Sequence, residues 1–408
     1  MSKPLGLFKG FGIELEYMIV RSDTLDVYPV ADELLRQVSG SYESEVEFGD
    51  MAWNNELALH VIEIKTNGPV PDLDGLDVKF HSQVNRLNTI LEAYGARLMP
   101  GAMHPWMDPC SQMKLWPHEY NPIYEAYNRI FDCRGHGWAN LQSTHINLPF
   151  SGNEEFGRLH AAIRMLMPVM PALTASSPVM DNKINGTFDN RLTVYRTNSR
   201  RIPSVTGLVV PEAVYTREEY ENELLGNIYK DIRPYDPEGI LQYEWLNSRG
   251  AIARFDRMAI EIRILDIQEC PVADLATSAL ITGALKALTR EKWSGQNEQK
   301  KWPADRLNNI LTSVTEKGGD FILSDPEYLE MFGINTGSLT ATEFWTCLLN
   351  DIYIADDKYR KALSVILNEG CLSKRLIKAI GPGTDSGRIK DVYEELCSCL
   401  NHGIMFLP

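Results

Sequence analysis

The sequence predicts an α+β protein, in which a part that mixes strands and helices is followed by a helical part. Segments with period-2 alternation of apolar residues recur through the first two thirds of the chain, and amphipathic helical patterns lie between them. From about residue 271 the pattern is helical to the end. The 408 residues are enough for one large core or for two packed lobes. We therefore predict a single domain over 1–408, with a soft boundary between a sheet-bearing part, 1–270, and a helical part, 271–408.

Six segments carry the alternation and the β-branched residues that are typical of strands. They are 11–20, 43–48, 57–66, 140–148, 251–255 and 259–265. In the first, Phe11, Ile13 and Leu15 alternate with Gly12 and Glu14, so one face of this strand is predicted to lie in the core.

Three helices are predicted between these strands. The segment 74–95 is amphipathic and ends at Gly95, which suits a helix C-cap. A second helix covers 120–131, and a third begins at Asn153 as its N-cap and runs into prolines. The polar segment 181–211 is predicted to be a long ordered loop, and such loops are usually functional.

The composition restricts the partners and the compartment. A formal net charge of -15 argues against non-specific binding to nucleic acid or to an anionic membrane, although local arginines or metal ions still allow an anionic substrate. The start of the chain lacks a signal-peptide pattern, and no stretch approaches the length of a membrane span. The seven cysteines are scattered, with no CxxC, which predicts reduced thiols in a cytoplasmic protein and no thiolate zinc site.

Carboxylates interrupt the strand patterns in an unusual way. In "FGIELEYMIV", Glu14 and Glu16 are two residues apart and therefore point to the same side of the strand. In "NNELALHVIEIKTNGP", Glu56 and Glu63 are seven residues apart, which would place them on opposite faces of one uninterrupted strand. We therefore predict that Glu56 lies in the turn that leads into the strand.

Two further strands add a histidine, a glutamate and an arginine. His145 lies within "LQSTHINLPF", and "MAIEIRILDI" has Glu261 and Arg263 on one face and three isoleucines on the other. Burying several carboxylates together is prohibitive without cations, and Mg²⁺ or Mn²⁺ prefers oxygen ligands with an occasional imidazole. Such metals commonly bridge nucleotide phosphates, and a neighbouring arginine suits phosphoryl transfer.

Each of these residues also has an ordinary interpretation. A glutamate taken alone is typical of a surface or salt-bridged position, and Glu14 and Glu16 could pair with lysines on a neighbouring strand. His145 could be a structural histidine, and Arg263 could simply neutralise Glu261. The repetition of the same anomaly in four strand-like segments favours the metal site.

Taken together, these segments resemble the glutamate–cysteine ligase family, in particular its carboxylate-amine ligase branch within the glutamine synthetase-like superfamily. The motifs that carry the resemblance are "GIELE", Glu56 followed by "EIKT", "STHINL" and "EIR". The stretch "ALTASSPVMDNKINGTFDNRLTVYRTNS" is also similar to a family segment. The resemblance covers roughly residues 10–271, and the C-terminal helices add nothing to it.

The resemblance implies an antiparallel sheet curved into a funnel, with helices packed outside. It implies that ATP phosphorylates a carboxylate, often the γ-carboxylate of glutamate, and that an amine then attacks the acyl phosphate. The implied cofactors are ATP and Mg²⁺ or Mn²⁺. The implied metal ligands form two sets: Glu16, Glu56 and Glu63 for one metal, and Glu14, His145 and Glu261 for a second.

Two arginines receive roles from the same resemblance. Arg263 would contact the transferred phosphoryl group, and Arg196, in "TVYRTNS", would grip the substrate carboxylate or a phosphate through its two-pronged guanidinium. A salt bridge that anchors the loop explains Arg196 equally well. The nearby Arg191, Arg200 and Arg201 compete with it for the role.

The chain departs from the branch in one motif. Branch members often read H-x-H around the ligand histidine, whereas only His145 is present here. The aromatic segment 103–122 either shapes the amine pocket or plugs the funnel wall.

Other functions remain open beside the ligase. A metal-dependent phosphotransferase or hydrolase on the same scaffold is one alternative, and a metal- or nucleotide-sensing pseudoenzyme is another. No GxxxxGK[ST] and no HExxH occurs, which excludes a P-loop and disfavours a zincin. The predicted partners are a small carboxylate and a small amine. The sequence identifies neither of them, and it leaves room for a homo-oligomer.

Overall fold

The computed structural model describes residues 4–382 and 385–408. Twelve strands occur in these residues: β1 Gly12–Arg21, β2 Glu45–Phe48, β3 Met51–Asn55, β4 Val61–Thr66, β5 Ala96–Met99, β6 Ser143–Pro149, β7 Val179–Met180, β8 Lys183–Ile184, β9 Ala251–Arg254, β10 Ala259–Asp266, β11 Ile322–Leu323 and β12 Leu339–Thr340. Eight of them form the main sheet, in the order β2-β3-β4-β1-β6-β10-β9, with β5 also pairing with β1. Every strand pair is antiparallel.

The α-helices of the described residues are α1 Ala31–Ser39, α2 Leu76–Leu91, α3 Pro109–Gln112, α4 Asn121–Phe131, α5 His136–Ala139, α6 Gly152–Leu166, α7 Pro171–Thr174, α8 Asn190–Tyr195, α9 Arg217–Glu219, α10 Gly226–Ile232, α11 Pro271–Thr289, α12 Gln296–Lys300, α13 Ala304–Lys317, α14 Pro326–Glu330, α15 Ala341–Asp351, α16 Asp357–Glu369, α17 Leu372–Ile380 and α18 Ser386–His402. Helices α9 and α10 are joined by a π-helical segment, Tyr220–Leu225. Short 3₁₀ turns occupy Glu92–Tyr94, Met167–Val169, Pro203–Val205, Glu244–Leu246 and Gly318–Asp320.

The main sheet has one apolar face and one polar face. Ile13, Leu15 and Tyr17 of β1 are fully buried, as are Ile260 and Ile262 of β10, and they pack in the hydrophobic core with the helices. The polar residues that alternate with them point to the other face. The predicted α+β class, with a mainly antiparallel sheet and packed helices, is confirmed.

All six predicted strands occur, with shifted ends. The segment predicted over 57–66 begins only at Val61, because residues 56–60 form a loop after β3. Strands β3 and β5 were not predicted. They are five and four residues long, too short to show a period of their own, and their pairing with β4 and β1 defines them.

Two predicted helices are confirmed, and one predicted cap is wrong. Helix α2 continues through a 3₁₀ turn to Gly95, whose φ of 63° is the left-handed C-cap conformation. Helix α4 matches the predicted 120–131. Helix α6 begins at Gly152 rather than after Asn153; the Asn153 side chain instead accepts a hydrogen bond from the backbone N–H of Arg217.

The segment 181–211 is not the uninterrupted loop that was predicted. It contains β8, α8 and a 3₁₀ turn. The Asp189 side chain caps α8 by accepting a hydrogen bond from the Leu192 N–H at 2.7 Å. The helix is only six residues long, so its periodicity is not visible in a polar sequence.

The C-terminal part is helical as predicted, apart from the short pair β11–β12. Helix α11 corrects one expectation, because its 19 residues, with a mean hydropathy of 1.2, are long and apolar enough to cross a membrane. However, 78% of this apolar stretch is buried inside the protein, where α11 packs against α2, α6 and α16. We therefore interpret α11 as a core helix. The soft boundary near residue 270 stays a prediction.

Candidate active site

The strand register brings the predicted carboxylates together on the polar face of the sheet. Glu14 of β1 lies opposite His145 of β6, and Glu16 lies opposite Glu63 of β4. Glu261 of β10 is paired with Asn147, two residues from His145 on the same face of β6. Directly opposed residues of antiparallel strands point to the same side. Four strands thus contribute to one site.

The first acidic group consists of Glu16, Glu56 and Glu63, each with a carboxylate oxygen within 4.8 Å of the others. Glu56 lies in the loop between β3 and β4, as predicted from its spacing to Glu63. Burial and the charges of Glu16 and Glu63 raise the pKa of Glu56 well above its usual range. Burial and the Glu14 charge do the same to the pKa of Glu63. The three carboxylates therefore repel one another unless positive charge lies between them.

The second group consists of Glu14, Glu63 and His145, again within 4.8 Å. The imidazole donates from Nδ1 to Glu14 Oε2 at 2.8 Å, and Asn147 donates to Glu14 Oε1 at 3.0 Å. Burial opposes ionisation of Glu14, but the hydrogen bond and the charge of His145 prevail and lower the Glu14 pKa to about 2. Burial likewise opposes protonation of His145, yet the bond to Glu14 and the charge of Glu16 raise its pKa. A proton on His145 thus supplies positive charge that a cation could supply instead.

Glu261 lies beside this second group but is shared with arginines. Its Oε1 accepts from Arg263 Nη2 at 2.7 Å and from Arg263 Nε at 2.9 Å, and lies 3.8 Å from His145 Nδ1. Its Oε2 lies 3.8 Å from Arg254 Nη1. Glu63, rather than Glu261, completes the group around Glu14 and His145. A metal-ligand role for Glu261 stays a prediction.

A cavity of about 610 Å³ is lined by one member or more of each group: Glu16, Glu56 and His145. The cavity wall includes four arginines and a lysine: Arg191, Arg254, Arg257, Arg263 and Lys65. Six aromatic residues also line the cavity: Tyr120, Tyr124, Tyr127, Trp138, Tyr195 and Trp245. Of the aromatic segment 103–122, only Tyr120 lines this cavity, whereas Trp116 is fully buried in the core.

The structure does not bring Arg196 into this cavity. Its guanidinium donates to the side-chain oxygen of Asn308 on α13, a neutral group where the alternative interpretation expected the carboxylate of a salt bridge. Arg191, five residues earlier, lines the cavity instead.

Three other residues of the cavity were not selected from the sequence. Ser143 donates to Glu16 Oε2 from its N–H at 2.6 Å and from its hydroxyl at 2.9 Å. Its position two residues before His145 on one strand was a usable signal. Arg254 and Arg257 belong to the hairpin that precedes Glu261, and their closeness in sequence to strand β10 was a second usable signal.

The donor set fits hard divalent cations. It offers carboxylate oxygens and one imidazole, with no thiolate among the grouped residues. Burial and the neighbouring carboxylates raise the pKa values of Glu56 and Glu63, so the ionised group is unfavourable without a cation to offset its negative charge. Glu63 belongs to both groups, so it is the residue on which they depend together.

This electrostatic balance predicts an unusual pH dependence for the metal-free protein. The raised pKa values of Glu56, Glu63 and His145 mean that stability falls as the pH rises above the ordinary glutamate value of 4.5 and then through the folded pKa of His145. The pKa of about 2 for Glu14 means that its contribution is lost only as the pH falls from 4.5 towards 2. We expect the melting temperature in EDTA to be highest near pH ~5 and to fall towards pH ~8, and Mg²⁺ or Mn²⁺ to flatten the decline. A melting temperature that rises steadily over this interval in EDTA contradicts the interpretation.

Comparison with known proteins identifies the family and the fold of the chain. A family model described as glutamate–cysteine ligase family 2 matches residues 10–395. An uncharacterized protein of Archaeoglobus fulgidus is 31% identical over 400 residues, which is 97% of this chain and 100% of the relative. A putative glutamate–cysteine ligase 2 of Bradyrhizobium is 24% identical over 330 residues, 76% of this chain and 71% of the relative. The crystal structure of a Francisella tularensis glutamate–cysteine ligase in complex with AMP has the same fold, with a TM-score of 0.61 at 12% identity over 98% of this chain and 90% of that one.

Proposed function

The chain belongs to the glutamate–cysteine ligase family 2 and is a carboxylate–amine ligase, and we propose that it uses ATP to phosphorylate the γ-carboxylate of glutamate. An amine would then displace phosphate from the acyl phosphate. The products are an amide, ADP and inorganic phosphate.

The observation that carries the proposal is the pair of acidic groups that share Glu63, next to a cavity whose wall includes four arginines. Carboxylates and arginines on one cavity suit a polyphosphate bound with divalent cations, because each charge then has an opposite neighbour. We assign Glu16, Glu56 and Glu63 to one Mg²⁺ or Mn²⁺ site. Glu14, His145 and Glu63 would hold a second, with Glu261 beside it. When bound, these cations supply positive charge that offsets the negative charge of the phosphates.

Two arginines receive different roles in this proposal. Arg263, held by Glu261, would contact the transferred phosphoryl group. Arg257 has the longest ion pair of the cavity wall, 4.0 Å to Asp256, and so has the most capacity for a substrate carboxylate. We therefore assign that role to Arg257 rather than to Arg196.

The aromatic side of the cavity has a protective role in the proposal. Tyr127 and Trp138 pack with ring centroids 5.1 Å apart, and Tyr127 is buried. Burial and the charge of Glu56 raise the pKa of the neighbouring Tyr124, so it stays neutral and can donate a hydrogen bond. A wall of this kind limits the access of water to an acyl phosphate, which would otherwise hydrolyse. We also propose a cytoplasmic location, where ATP is available and thiols stay reduced.

The test is ADP release measured with Mg²⁺ and ATP, glutamate and a panel of amines, with products identified by mass. We expect ADP release to require both the acid and an amine, and we expect a product equal in mass to their sum minus water. ADP release that needs no amine and gives no amide would indicate the hydrolase alternative. Nucleotide binding without any turnover would indicate the sensing alternative.

A further inference from the structure

Strand β10 contains a bulge at Arg263. In its pairing with β6, Ile262 lies opposite Ile146, but the next pair is Leu265 opposite Thr144. Two residues of β10, Arg263 and Ile264, therefore stand opposite the single residue between Thr144 and Ile146. A bulge of this kind bends the strand, redirects a side chain and leaves backbone groups outside the ladder.

The bulge also changes which residues face the site. It shifts the later part of β10 by one position, so that Asp266 rather than Leu265 is paired with Ser143. Ser143 points to the polar face, where it donates to Glu16. The bulge therefore turns the Asp266 side chain to the side of the sheet that carries Ser143 and Glu16.

Arg191 holds both carbonyl groups of the bulge. Its Nη2 donates to the carbonyl oxygen of Arg263 at 2.8 Å, and its Nη1 donates to that of Ile264 at 3.1 Å. Nη1 also lies 3.3 Å from Asp266 Oδ1. Buried carbonyl groups without partners are costly, and the planar guanidinium can serve two of them at once. Arg191 is 3% exposed, so water has little access to this place and cannot bind the two carbonyl groups instead of the guanidinium.

A buried network fixes Arg191 in turn. The second oxygen of Asp266 accepts from the Ser176 N–H at 2.8 Å and from the Ser177 hydroxyl at 2.9 Å. The Ser177 hydroxyl also accepts from the backbone N–H of Arg191 at 3.1 Å. Asp266 thereby holds the guanidinium, and Ser177 holds the backbone of Arg191.

We propose that Arg191 is a positioning residue that holds the bulge of β10 in the shape that directs Arg263 into the cavity. The proposal rests on the proposed ligase function, in which Arg263 contacts the phosphoryl group. Two other roles for Arg191 make different predictions. Arg191 lines the cavity and its Nε has no hydrogen-bond partner in 4–382 and 385–408, so it could contact substrate directly after a small side-chain movement. Alternatively, Arg191 could only stabilise the fold.

The experiment is a double-mutant cycle with Arg191→Lys and Arg263→Lys. Lysine keeps the charge but cannot serve two carbonyl groups in one plane. We expect Arg191→Lys to lower kcat about 10- to 100-fold with less than about a threefold change in the KM for ATP, because a small displacement of a catalytic group has effects of this size. In the Arg263→Lys background, the same substitution should lower kcat by less than about threefold, because the residue that it positions is already lost.

Arg164→Lys is the matched control. Arg164 is a fully buried arginine of α6 that also bridges two carbonyl groups, those of Pro211 at 2.8 Å and Trp302 at 2.9 Å, and it does not line the cavity. We expect a lower melting temperature and an almost unchanged kcat for the folded Arg164→Lys protein. Should Arg191→Lys fail to fold, Asp266→Asn weakens the same anchor and enters the cycle in its place.

Three outcomes overturn the proposal. Independent, multiplicative losses in the double variant mean that Arg191 does not act through Arg263. A more than tenfold rise in the KM for the acid indicates direct contact with the substrate. A lower melting temperature with unchanged kcat, as expected for Arg164→Lys, indicates a purely structural role.

Failure of the proposed function is separable from these outcomes. It is seen when the wild type releases no ADP with any acid and amine. In that case, the double-mutant cycle is measured through the affinity of each variant for the Mg²⁺ complex of ATPγS, which is obtained from thermal shifts. Non-additive losses of affinity support the coupling between Arg191 and Arg263, and additive losses reject it.

Discussion

Replacing Glu63 by glutamine is expected to lower kcat by about 10²- to 10⁴-fold. Glu63 is the residue common to both acidic groups, so its charge supports both proposed cation sites. A lost cation removes several kcal/mol of electrostatic stabilisation, and about 1.4 kcal/mol corresponds to a tenfold change in rate. Glutamine keeps the size and one oxygen, so packing in the site is preserved. ADP release under saturating ATP and Mg²⁺ measures the effect.

The same substitution should not destabilise the metal-free protein. The pKa of Glu63 is raised in the folded state, so its ionisation opposes folding at neutral pH, and removing the charge removes that penalty. We expect the melting temperature in EDTA to stay equal or to rise, and added Mg²⁺ to stabilise the variant less than the wild type. Glu47→Gln, an exposed carboxylate on the edge strand β2, which β3 separates from the strand of Glu63, is the matched control and should change neither activity nor the response to Mg²⁺. Activity of Glu63→Gln equal to that of the Glu47→Gln control would remove Glu63 from the site.

Much of the site could be predicted because its residues interrupt regular patterns. Glu14 and Glu16 stand out within an apolar alternation, and the odd spacing of Glu56 and Glu63 correctly placed Glu56 in a loop. Local patterns do not contain the register between strands that are distant in sequence. That register pairs Glu16 with Glu63, and it makes Glu63, rather than Glu261, the third member of the group around Glu14.

The arginines show why side-chain direction is harder to predict than strand position. Arg191 lies in α8, a short helix that is not visible in the polar sequence, and Arg196, five residues later, is its C-cap residue with helical backbone angles. Five residues of an α-helix correspond to about 500° of rotation, so the two side chains leave the helix in directions about 140° apart. Only Arg191 reaches the cavity, whereas Arg196 binds Asn308. Similarly, the bulge at Arg263 exists only in the pairing of β10 with β6 and has no sequence signature of its own.

Replacing Arg263 by lysine is expected to lower kcat about 10²- to 10³-fold with a smaller change in the KM for ATP. The contacts of Arg263 allow two interpretations. Its Nη2 and Nε both donate to Glu261 Oε1, at 2.7 and 2.9 Å, and its side chain, which is 25% exposed, lines the cavity. If Arg263 only neutralises Glu261, lysine suffices, because a point charge balances a carboxylate. If it contacts the phosphoryl group as charge develops in the transition state, lysine fails, because it lacks the planar pair of donors.

The control and the stability measurement separate these two interpretations. Arg134→Lys replaces an exposed arginine that also binds a carboxylate, that of Asp132 at 2.8 Å, and it should leave both kinetic constants unchanged. The melting temperature of Arg263→Lys should stay close to that of the wild type, because lysine still balances the buried carboxylate of Glu261. A low kcat in a stably folded variant then assigns Arg263 to the chemistry, since a role limited to charge balance cannot lower the rate while the charge is kept. A kcat close to wild type would instead leave Arg263 as the partner of Glu261, and the phosphoryl contact would have to come from Arg254 or Arg257, the other arginines of the wall whose side chains are not committed to the bulge.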